Sequence, residues 1–396
     1  MKNRKTYPNP TALRKERKQL VEDAIRHDRK PKRVPILSNA WTWIAWDAGY
    51  KLSEYLYDYD KNFDAVCQLH EKYEMDIYVE MGTRNPFRVA DCFGESLYEI
   101  DDKKHYIQIP DFNMMDHDDY DVIIRDGTTK FYFERGIPSR YGITDRQQMI
   151  EAYGKAAKEF LLLSEHNKRI ADQFVHKYGV PNMVAGKVPF PMETMMCTLR
   201  GIRGLAEDMR KRPDKLMELL DVVHRQQYPA VEKLFNTIDP TDDRFAIPMR
   251  LTCLSHTIQS TKQFEKYSWP YIKNFIDQTA KRNWTGWLFF EGTIDHIIDF
   301  LRDIPDGCMA IQIEANDPIE IKKLLPNVII AGGFPTHLLY NGNKQQCIDK
   351  AKQLIDEMAY DGNYIFTVDK MMSYPQDGKG ENLKAVTDFV KEYSRL

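Results

Sequence analysis

The sequence predicts a single (β/α)8 barrel, in which eight parallel strands are surrounded by helices. Eight short apolar runs recur along the 396 residues. Each run is continuous rather than alternating, as expected of strands that are buried on both faces. Helical patterns such as "LRGIRGLAEDMRKRPDKLMELLDVVHRQ" separate the runs. Strands that alternate with helices form a parallel sheet, and eight such units over a chain of this length favour a closed barrel.

The eight predicted strands follow one another along the chain. They are "RVPILS" (33–38), "DIYVEM" (76–81), "NMVAGKVPF" (182–190), "FAIPMRL" (245–251), "GWLFF" (286–290), "MAIQIE" (309–314), "NVIIAGG" (327–333) and "YIFTV" (364–368). In a parallel barrel the active site forms at the C-terminal ends of the strands. The residues that directly follow each run are therefore the candidates for function.

Two regions depart from this alternation within a single predicted domain, 1–396. Residues 1–32 predict an N-terminal helical arm, because Leu13, Leu20, Val21, Ala24 and Ile25 share one helical face. Residues 1–33 hold twelve Lys and Arg against four Asp and Glu, so we expect the arm to have a solvated basic face. Residues 97–140 predict a β insertion of two hairpins, the second turning at "DG", Asp126 and Gly127.

The composition excludes several functional classes. Hydrophobic residues make up 42% of the chain, yet there is no apolar run long enough to span a membrane and no signal-peptide pattern, so we expect a cytoplasmic protein. The six cysteines form no CxxC pair, which favours reduced thiols over disulfides or a thiolate zinc site. No stripe of basic and aromatic residues indicates nucleic-acid binding.

Three polar residues follow consecutive predicted strands. Glu291 ends the fifth strand, Glu314 ends the sixth, and His337 lies just past the seventh, with 22 residues between successive members. This spacing places the three side chains on adjacent strands, about 5 Å apart between strand axes. Two carboxylates and an imidazole form a ligand set that zinc accepts, with a fourth position left for water or substrate. Iron(II) would accept the same set, so the metal identity stays open.

Other polar clusters favour ordinary structural interpretations. The acidic stretch "MMDHDDYD" lacks the Gly and Glu of a calcium-binding loop and is interpreted as an acidic surface loop. Cys253 and His256 follow the fourth strand, where they could be a nucleophile and its base, although a buried thiol and a loop histidine are favoured because no third group orients the pair. His296 is interpreted as structural.

Aromatic residues gather after the first predicted strand. The segment "NAWTWIAWDAGY" places Trp41, Trp43 and Trp46 close together. Aromatic walls suit a flat ligand or a large cofactor. The alternative is that two of the three rings pack against the following helix.

The order of these features resembles the uroporphyrinogen decarboxylase-like superfamily, in particular its corrinoid-dependent methyltransferase branch. The resemblance rests on "RVPI", "VPFPMETMMCTLRGIRGLAEDMRKRPDKLMELLD", "FEKYSWPYIKNFID", "AGGFPTHLL" and "GENLKAVTDFVKEY". It covers nearly the whole chain and implies a single (β/α)8 barrel. Two departures narrow the expected activity. The segment "SNAWTWIAWDAGY" has no arginine to hold porphyrinogen carboxylates, and Glu291 stands where thiol-activating relatives carry a cysteine ligand.

The resemblance therefore implies an O-demethylase component. Such an enzyme takes a methyl group from a methyl ether, expected to be aromatic, and passes it to the Co(I) of a separate corrinoid protein. A carboxylate-rich zinc site on Glu291, Glu314 and His337 would be a hard Lewis acid suited to the ether oxygen. Candidate substrate-binding residues are Asn39, Trp41, Trp43 and Asp369. Two alternatives stay open, a metal-dependent decarboxylase or lyase that needs no partner protein and a non-catalytic binding protein, and the sequence leaves homodimer formation undecided.

Overall fold

The predicted barrel is present in the computed structural model, which describes residues 4–79, 86–94, 98–108 and 113–395. Its strands are β1 (Leu37–Ser38), β2 (Ile77–Tyr78), β3 (Asn182–Val188), β4 (Phe245–Cys253), β5 (Gly286–Phe290), β6 (Met309–Ile313), β7 (Ile329–Gly332) and β8 (Tyr364–Ile365). All eight coincide with predicted strands. Residues 80 and 81, the end of the predicted second strand, lie outside the described residues.

The strands follow their sequence order around the barrel. β3 to β8 form one parallel sheet, and β1 pairs in parallel with β2. A parallel bridge between Ile36 and Phe366 joins β1 to β8, and β2 packs against β3. The strands therefore complete a ring, and their C-terminal ends face one side of the molecule.

Helices surround the ring and connect its strands. The α-helices are Pro10–Ala24, Trp43–Asp47, Leu52–Tyr57, Tyr59–Tyr73, Phe87–Ala90, Tyr120–Asp126, Thr128–Phe131, Ile137–Tyr141, Arg146–Asp172, Pro191–Thr194, Gly201–Lys211, Pro213–Thr237, Thr261–Tyr267, Trp269–Ala280, Ile298–Leu301, Pro318–Leu324, Thr336–Asn341, Lys344–Met358 and Gly380–Tyr393. Several begin at side-chain caps that the sequence supplies. Asn343, for example, accepts a hydrogen bond from the Gln346 amide at 3.0 Å. None of the described helices is both long and apolar enough to cross a membrane.

Two hydrophobic clusters hold the barrel together. The larger cluster lies between the strands and the outer helices. The smaller one, the interior core, fills the ring with inward-facing residues of the strands, including Leu37, Trp287, Phe289, Ala310 and Ile365. Because side chains alternate along a strand, the residue two positions after each of these core residues also faces inward. It lies nearer to the C-terminal end of the strand.

The N-terminal helix Pro10–Ala24 closes the end of the barrel at which the strands begin. Its basic face was expected to be solvated, but several of its basic side chains are buried. Val21 and Ala24 belong to the interior core. Lys18 is buried and donates hydrogen bonds to the carbonyls of Pro240 and Phe245, just before and at the start of β4. Arg17 likewise binds the carbonyls of residues 178 and 179. The basic side chains satisfy backbone carbonyls at the N-terminal ends of the strands, and this explains their burial.

The insertion is only half β-structure. The first predicted hairpin is present as strands Glu99–Asp101 and Tyr106–Gln108, although 97 and 109–112 lie outside the described residues. The second hairpin prediction was wrong, because residues 120–141 form the consecutive helices given above and a π-helical turn. Gly127 has φ 92° and separates two helices instead of turning a hairpin. Tyr120 and Ile123 are buried one helical turn apart, and the Tyr120 hydroxyl donates to Asp208 at 2.6 Å. This tertiary packing selects the helix.

Candidate active site at the C-terminal ends of the strands

Glu291 and Glu314 come together at the C-terminal ends of β5 and β6. Phe289 pairs in register with Gln312, so the two carboxylates two residues further on are also level. Gly292 turns the chain after Glu291 with φ 71°, a conformation that favours glycine. Its amide donates to the Glu314 carboxylate at 3.1 Å. The loop after β5 is thus tied to the side chain that ends β6.

The environment of Glu314 is acidic. Burial, together with the charges of Glu291 and Asp369, raises the pKa of Glu314 to about 7, against a lowering effect of the Gly292 amide. Like charges held close together in a partly buried site disfavour ionisation. Three carboxyl groups, on the loops after β5, β6 and β8, therefore share one region of the barrel opening.

Asp369 also has a structural contact. Its carboxylate accepts a hydrogen bond from the Thr336 amide at 3.0 Å, at the start of the helix Thr336–Asn341. The Asp369 amide donates to the Phe334 carbonyl at 2.8 Å. Asp369 therefore links the loop after β7 to the strand end of β8, in addition to the role predicted for it near the substrate.

His337 lies on the first turn of that helix and is exposed. Within the described ranges, no three His, Cys, Asp or Glu side chains are grouped closely enough to hold a metal ion. The crowded carboxylates fit a divalent cation in charge and in their hard oxygen donors, because a cation relieves their mutual repulsion. The arrangement of Glu291, Glu314 and His337 as a complete ligand set stays a prediction.

The loop after β4 supports the Glu291 loop. His256 is fully buried, and its Nε2 lies 2.7 Å from the Glu291 carbonyl. Burial lowers the pKa of His256 to about 4, so the ring is neutral at pH 7 and Nε2–H donates to the carbonyl. His296 stacks on His256 with ring centroids 5.4 Å apart and bonds its carbonyl. This agrees with the structural interpretation of both histidines.

Cys253 is buried, and burial raises the pKa of its thiol well above the ordinary value. A thiol in this state is a poor nucleophile at neutral pH. The Cys253 side chain is therefore structural, which was the favoured interpretation of the sequence.

Glu193 is a polar residue near this loop that the sequence reasoning did not single out. Its carboxylate accepts the amides of Leu254 and Ser255 at 2.7 and 2.6 Å, directly after β4. Burial raises the pKa of Glu193. The signal was present in "PFPMET", where a carboxylate lies within the first turn after the third strand.

The tryptophans after β1 divide into buried and exposed members. Trp41 and Trp43 are part of the cluster outside the strands. The indole of Trp43 is fully buried and donates to the Gly378 carbonyl at 3.0 Å. Trp46 is 39% exposed. Trp43 thus packs against the following helices, and contact of Trp41 or Trp43 with substrate stays a prediction. Asn39 lies two residues beyond Leu37 of the interior core.

The acidic stretch at residues 116–121 starts a helix instead of forming a cation loop. Asp116 and Asp119 form a reciprocal capping arrangement. Arg135 pairs with Asp119 at 2.6 Å, and Lys215 pairs with Asp121 at 2.5 Å. The charges of Asp119 and Asp121 are thus paired within a helical segment, whereas the sequence favoured a loop.

The sequence profile of the family "Uroporphyrinogen decarboxylase (URO-D)" matches residues 168–393, more than half of the chain. The chain belongs to the uroporphyrinogen decarboxylase family. The match contains β3 to β8 together with Glu291, Glu314, His337 and Asp369. The segment after β1 and the insertion lie outside it, in the part of the chain that precedes β3.

Comparison with solved structures supports the barrel assigned to this member of the family. A structure described as a methyltransferase from Methanosarcina mazei superposes with a TM-score of 0.59 and 14% sequence identity, covering 94% of this chain and 98% of that chain. At this identity the likeness establishes the shared fold. No curated protein matches the chain in sequence.

Proposed function

We propose that this member of the uroporphyrinogen decarboxylase family is a methyltransferase that demethylates an aromatic methyl ether and transfers the methyl group to the Co(I) of a separate corrinoid protein. The observation that carries the proposal is the convergence of Glu291, Glu314 and Asp369 at the barrel opening, where burial and the neighbouring charges raise the pKa of Glu314 to about 7. The likeness in fold to a methyltransferase from Methanosarcina mazei supports the same class.

The proposed reaction breaks the bond between the ether oxygen and its methyl carbon. The bonding pair stays on the oxygen, cobalt supplies two electrons for the new carbon–cobalt bond, and the phenolate then takes up a proton. A phenolate is a poor leaving group without help, so the enzyme must stabilise the developing negative charge. A divalent metal on Glu291, Glu314 and His337 would supply Lewis-acid stabilisation of that oxygen.

The chain's own residues prepare this end of the barrel. The Gly292 amide and the His256 ring hold the loop after β5, which directs Glu291 and Glu314 to one region. The absence of arginine from residues 38–50 argues against binding of a substrate with many carboxylates, which would need cationic partners there. A cleft beside the helix Trp43–Asp47, lined by Trp46 and Tyr106, supplies exposed aromatic surface for a partner at the same end.

The decisive experiment mixes the purified chain with a reduced corrinoid protein and a panel of methoxylated aromatics, and follows methyl-cobalt absorbance. We expect methyl-cobalt with at least one donor and a loss of rate of about a hundredfold or more in Glu291→Gln. Glu320→Gln, at an exposed position 63% accessible, is the matched control and is expected to retain the wild-type rate. No methyl transfer from any donor would refute the proposal.

Two further measurements separate the alternatives. Release of carbon dioxide by the chain alone would support the decarboxylase or lyase instead. Metal analysis tests the ligand set, since we expect Glu291→Ala and His337→Ala to lose bound zinc or iron. If the wild-type protein holds less than about a tenth of an equivalent of any transition metal, the proposed ligands are wrong.

A further inference from the structure

Three polar side chains lie inside the barrel with unused hydrogen-bonding groups. Asn39, Gln312 and Thr367 are 2%, 1% and 1% exposed. Among the described residues, both polar atoms of each carboxamide and the Thr367 hydroxyl have no hydrogen-bond partner. We call these three side chains the interior polar layer. Unpaired buried polar groups are rare in proteins, and each calls for an explanation.

The position of this layer connects it to the candidate active site. Each member lies two residues beyond an apolar residue of the interior core, namely Leu37, Ala310 and Ile365. Parallel bridges of Ala40 with Met372 and of Phe334 with Val368 continue the extended chain past Asn39 and Thr367. Side chains two residues apart share one face of such a chain, so the layer also faces inward. Glu314 and Asp369 come two residues further still along the chain, just after β6 and β8. The interior polar layer is therefore the floor beneath the carboxylates at the barrel opening.

The chemistry of the layer indicates the group that it would bind. Carboxamides offer both donors and acceptors, and a hydroxyl offers one donor and two acceptor sites. None of the three side chains carries a charge. An uncharged group that both donates and accepts, such as a hydroxyl, matches the donors and acceptors of these three side chains.

We propose that the interior polar layer binds a hydroxyl group of the methyl donor, so that the substrate class is a methyl ether carrying a hydroxyl, such as a methoxyphenol. This inference rests on the proposed function for its choice of substrate. A hydroxyl anchored on Gln312 and Thr367 directs the methoxy end of the same molecule towards Glu314. Positioning of this kind lets a remote group of the substrate contribute to catalysis at the reacting bond.

The variants Gln312→Met and Thr367→Val test the layer, because they replace polar groups by apolar ones of similar shape. Removal of an unpaired buried polar group does not destabilise the ligand-free protein, so we expect Tm to stay unchanged or to rise. Thr279→Val is the matched control. Thr279 is equally buried, but its hydroxyl donates to the Phe275 carbonyl at 2.8 Å. We expect this control to lower Tm and to leave ligand binding unchanged.

Calorimetric titration of the isolated chain with the three methoxyphenol isomers and with methoxybenzene measures recognition without any corrinoid protein. We expect the wild type to bind at least one methoxyphenol about tenfold or more tightly than methoxybenzene, and each variant to lose about tenfold of this preference. Equal affinity for both ligand types, no binding of any methoxyphenol, or an unchanged preference in both variants would overturn the inference. A lowered Tm in both variants would assign the layer a structural role instead.

The methyl-cobalt assay separates this inference from the proposed function. Selective binding of a methoxyphenol without methyl transfer supports the interior polar layer and contradicts the methyltransferase. Methyl transfer at equal efficiency from methoxybenzene and the methoxyphenols supports the methyltransferase and overturns the role of the layer. If the layer holds water and never contacts the substrate, methoxybenzene and the methoxyphenols bind with equal affinity. This outcome also counts against the inference.

Discussion

Replacement of Glu314 by glutamine tests whether the carboxyl groups at the barrel opening are as crowded as the structure indicates. The pKa of Glu314 is raised from 4.5 to about 7 by burial and by its acidic neighbours. Between these two pH values the folded protein holds a proton that the unfolded chain has lost. The free energy of unfolding of the wild type therefore falls as pH rises through this window. Glutamine carries no charge and retains an oxygen that accepts the Gly292 amide.

The size of this change in the free energy of unfolding follows from the difference between the two pKa values of Glu314. A tenfold change in proton affinity is about 1.4 kcal/mol, so the difference between 4.5 and about 7 corresponds to at most about 3 kcal/mol. The side chain is partly accessible to solvent, which screens the charges, and we reduce the expected value to about 1–2 kcal/mol. Glu314→Gln should thus be more stable than the wild type by about this amount at pH 8. The advantage should disappear near pH 5, where the wild type is protonated.

Urea unfolding in the presence of a chelator, at several pH values from 5 to 8, measures this difference directly. The control Glu320→Gln removes an exposed carboxylate and should differ from the wild type by less than about 0.5 kcal/mol at every pH. A difference between Glu314→Gln and the wild type that does not change with pH would refute the reasoning. So would a wild type that is the more stable protein at pH 8.

Three other substitutions have defined outcomes. Asp76→Asn breaks a buried pair in which Arg33 donates two hydrogen bonds of 2.7 and 2.6 Å. Urea unfolding should show a free energy of unfolding lower by about 3–5 kcal/mol. A decrease below about 1 kcal/mol would contradict this. Trp43→Phe removes the bond to Gly378 and should lower the free energy of unfolding by about 1 kcal/mol or more, while an altered KM for the methyl donor would instead support contact with substrate. His256→Ala releases the Glu291 carbonyl and should weaken metal binding by about 10–100-fold in a metal titration; unchanged affinity would show that this loop needs no such support.

Much of the barrel was predictable because its determinants are local in sequence. A strand buried on both faces needs a continuous apolar run, and each of the eight runs became a strand. The pairing of Glu291 with Glu314 was also predictable, since one βα unit places successive strand ends side by side on the same rim. The Glu314 carboxylate and the loop that follows Glu291 indeed lie within hydrogen-bonding distance.

The errors arose where local patterns allow two structures. Residues 120–141 contain apolar residues at spacings that suit a strand or a helix, and "DG" suits a hairpin turn or a helix end. The buried contact between Tyr120 and Asp208, 88 residues apart, favours the helix, and no local pattern contains it. Lys18 looked like a solvated charge, but it lies against carbonyls more than 200 residues away.

The sequence by itself determined the strands, their order and the presence of carboxylates at consecutive strand ends, because hydrophobic burial acts through short periodic patterns. Only the tertiary structure decided which polar groups are buried together. The interior polar layer brings together Asn39 from just after β1, Gln312 from β6 and Thr367 from just after β8, and its unused hydrogen-bonding groups are evident only in the closed ring. The raised pKa of Glu314 has the same origin, since desolvation and charge repulsion depend on neighbours that the fold brings together.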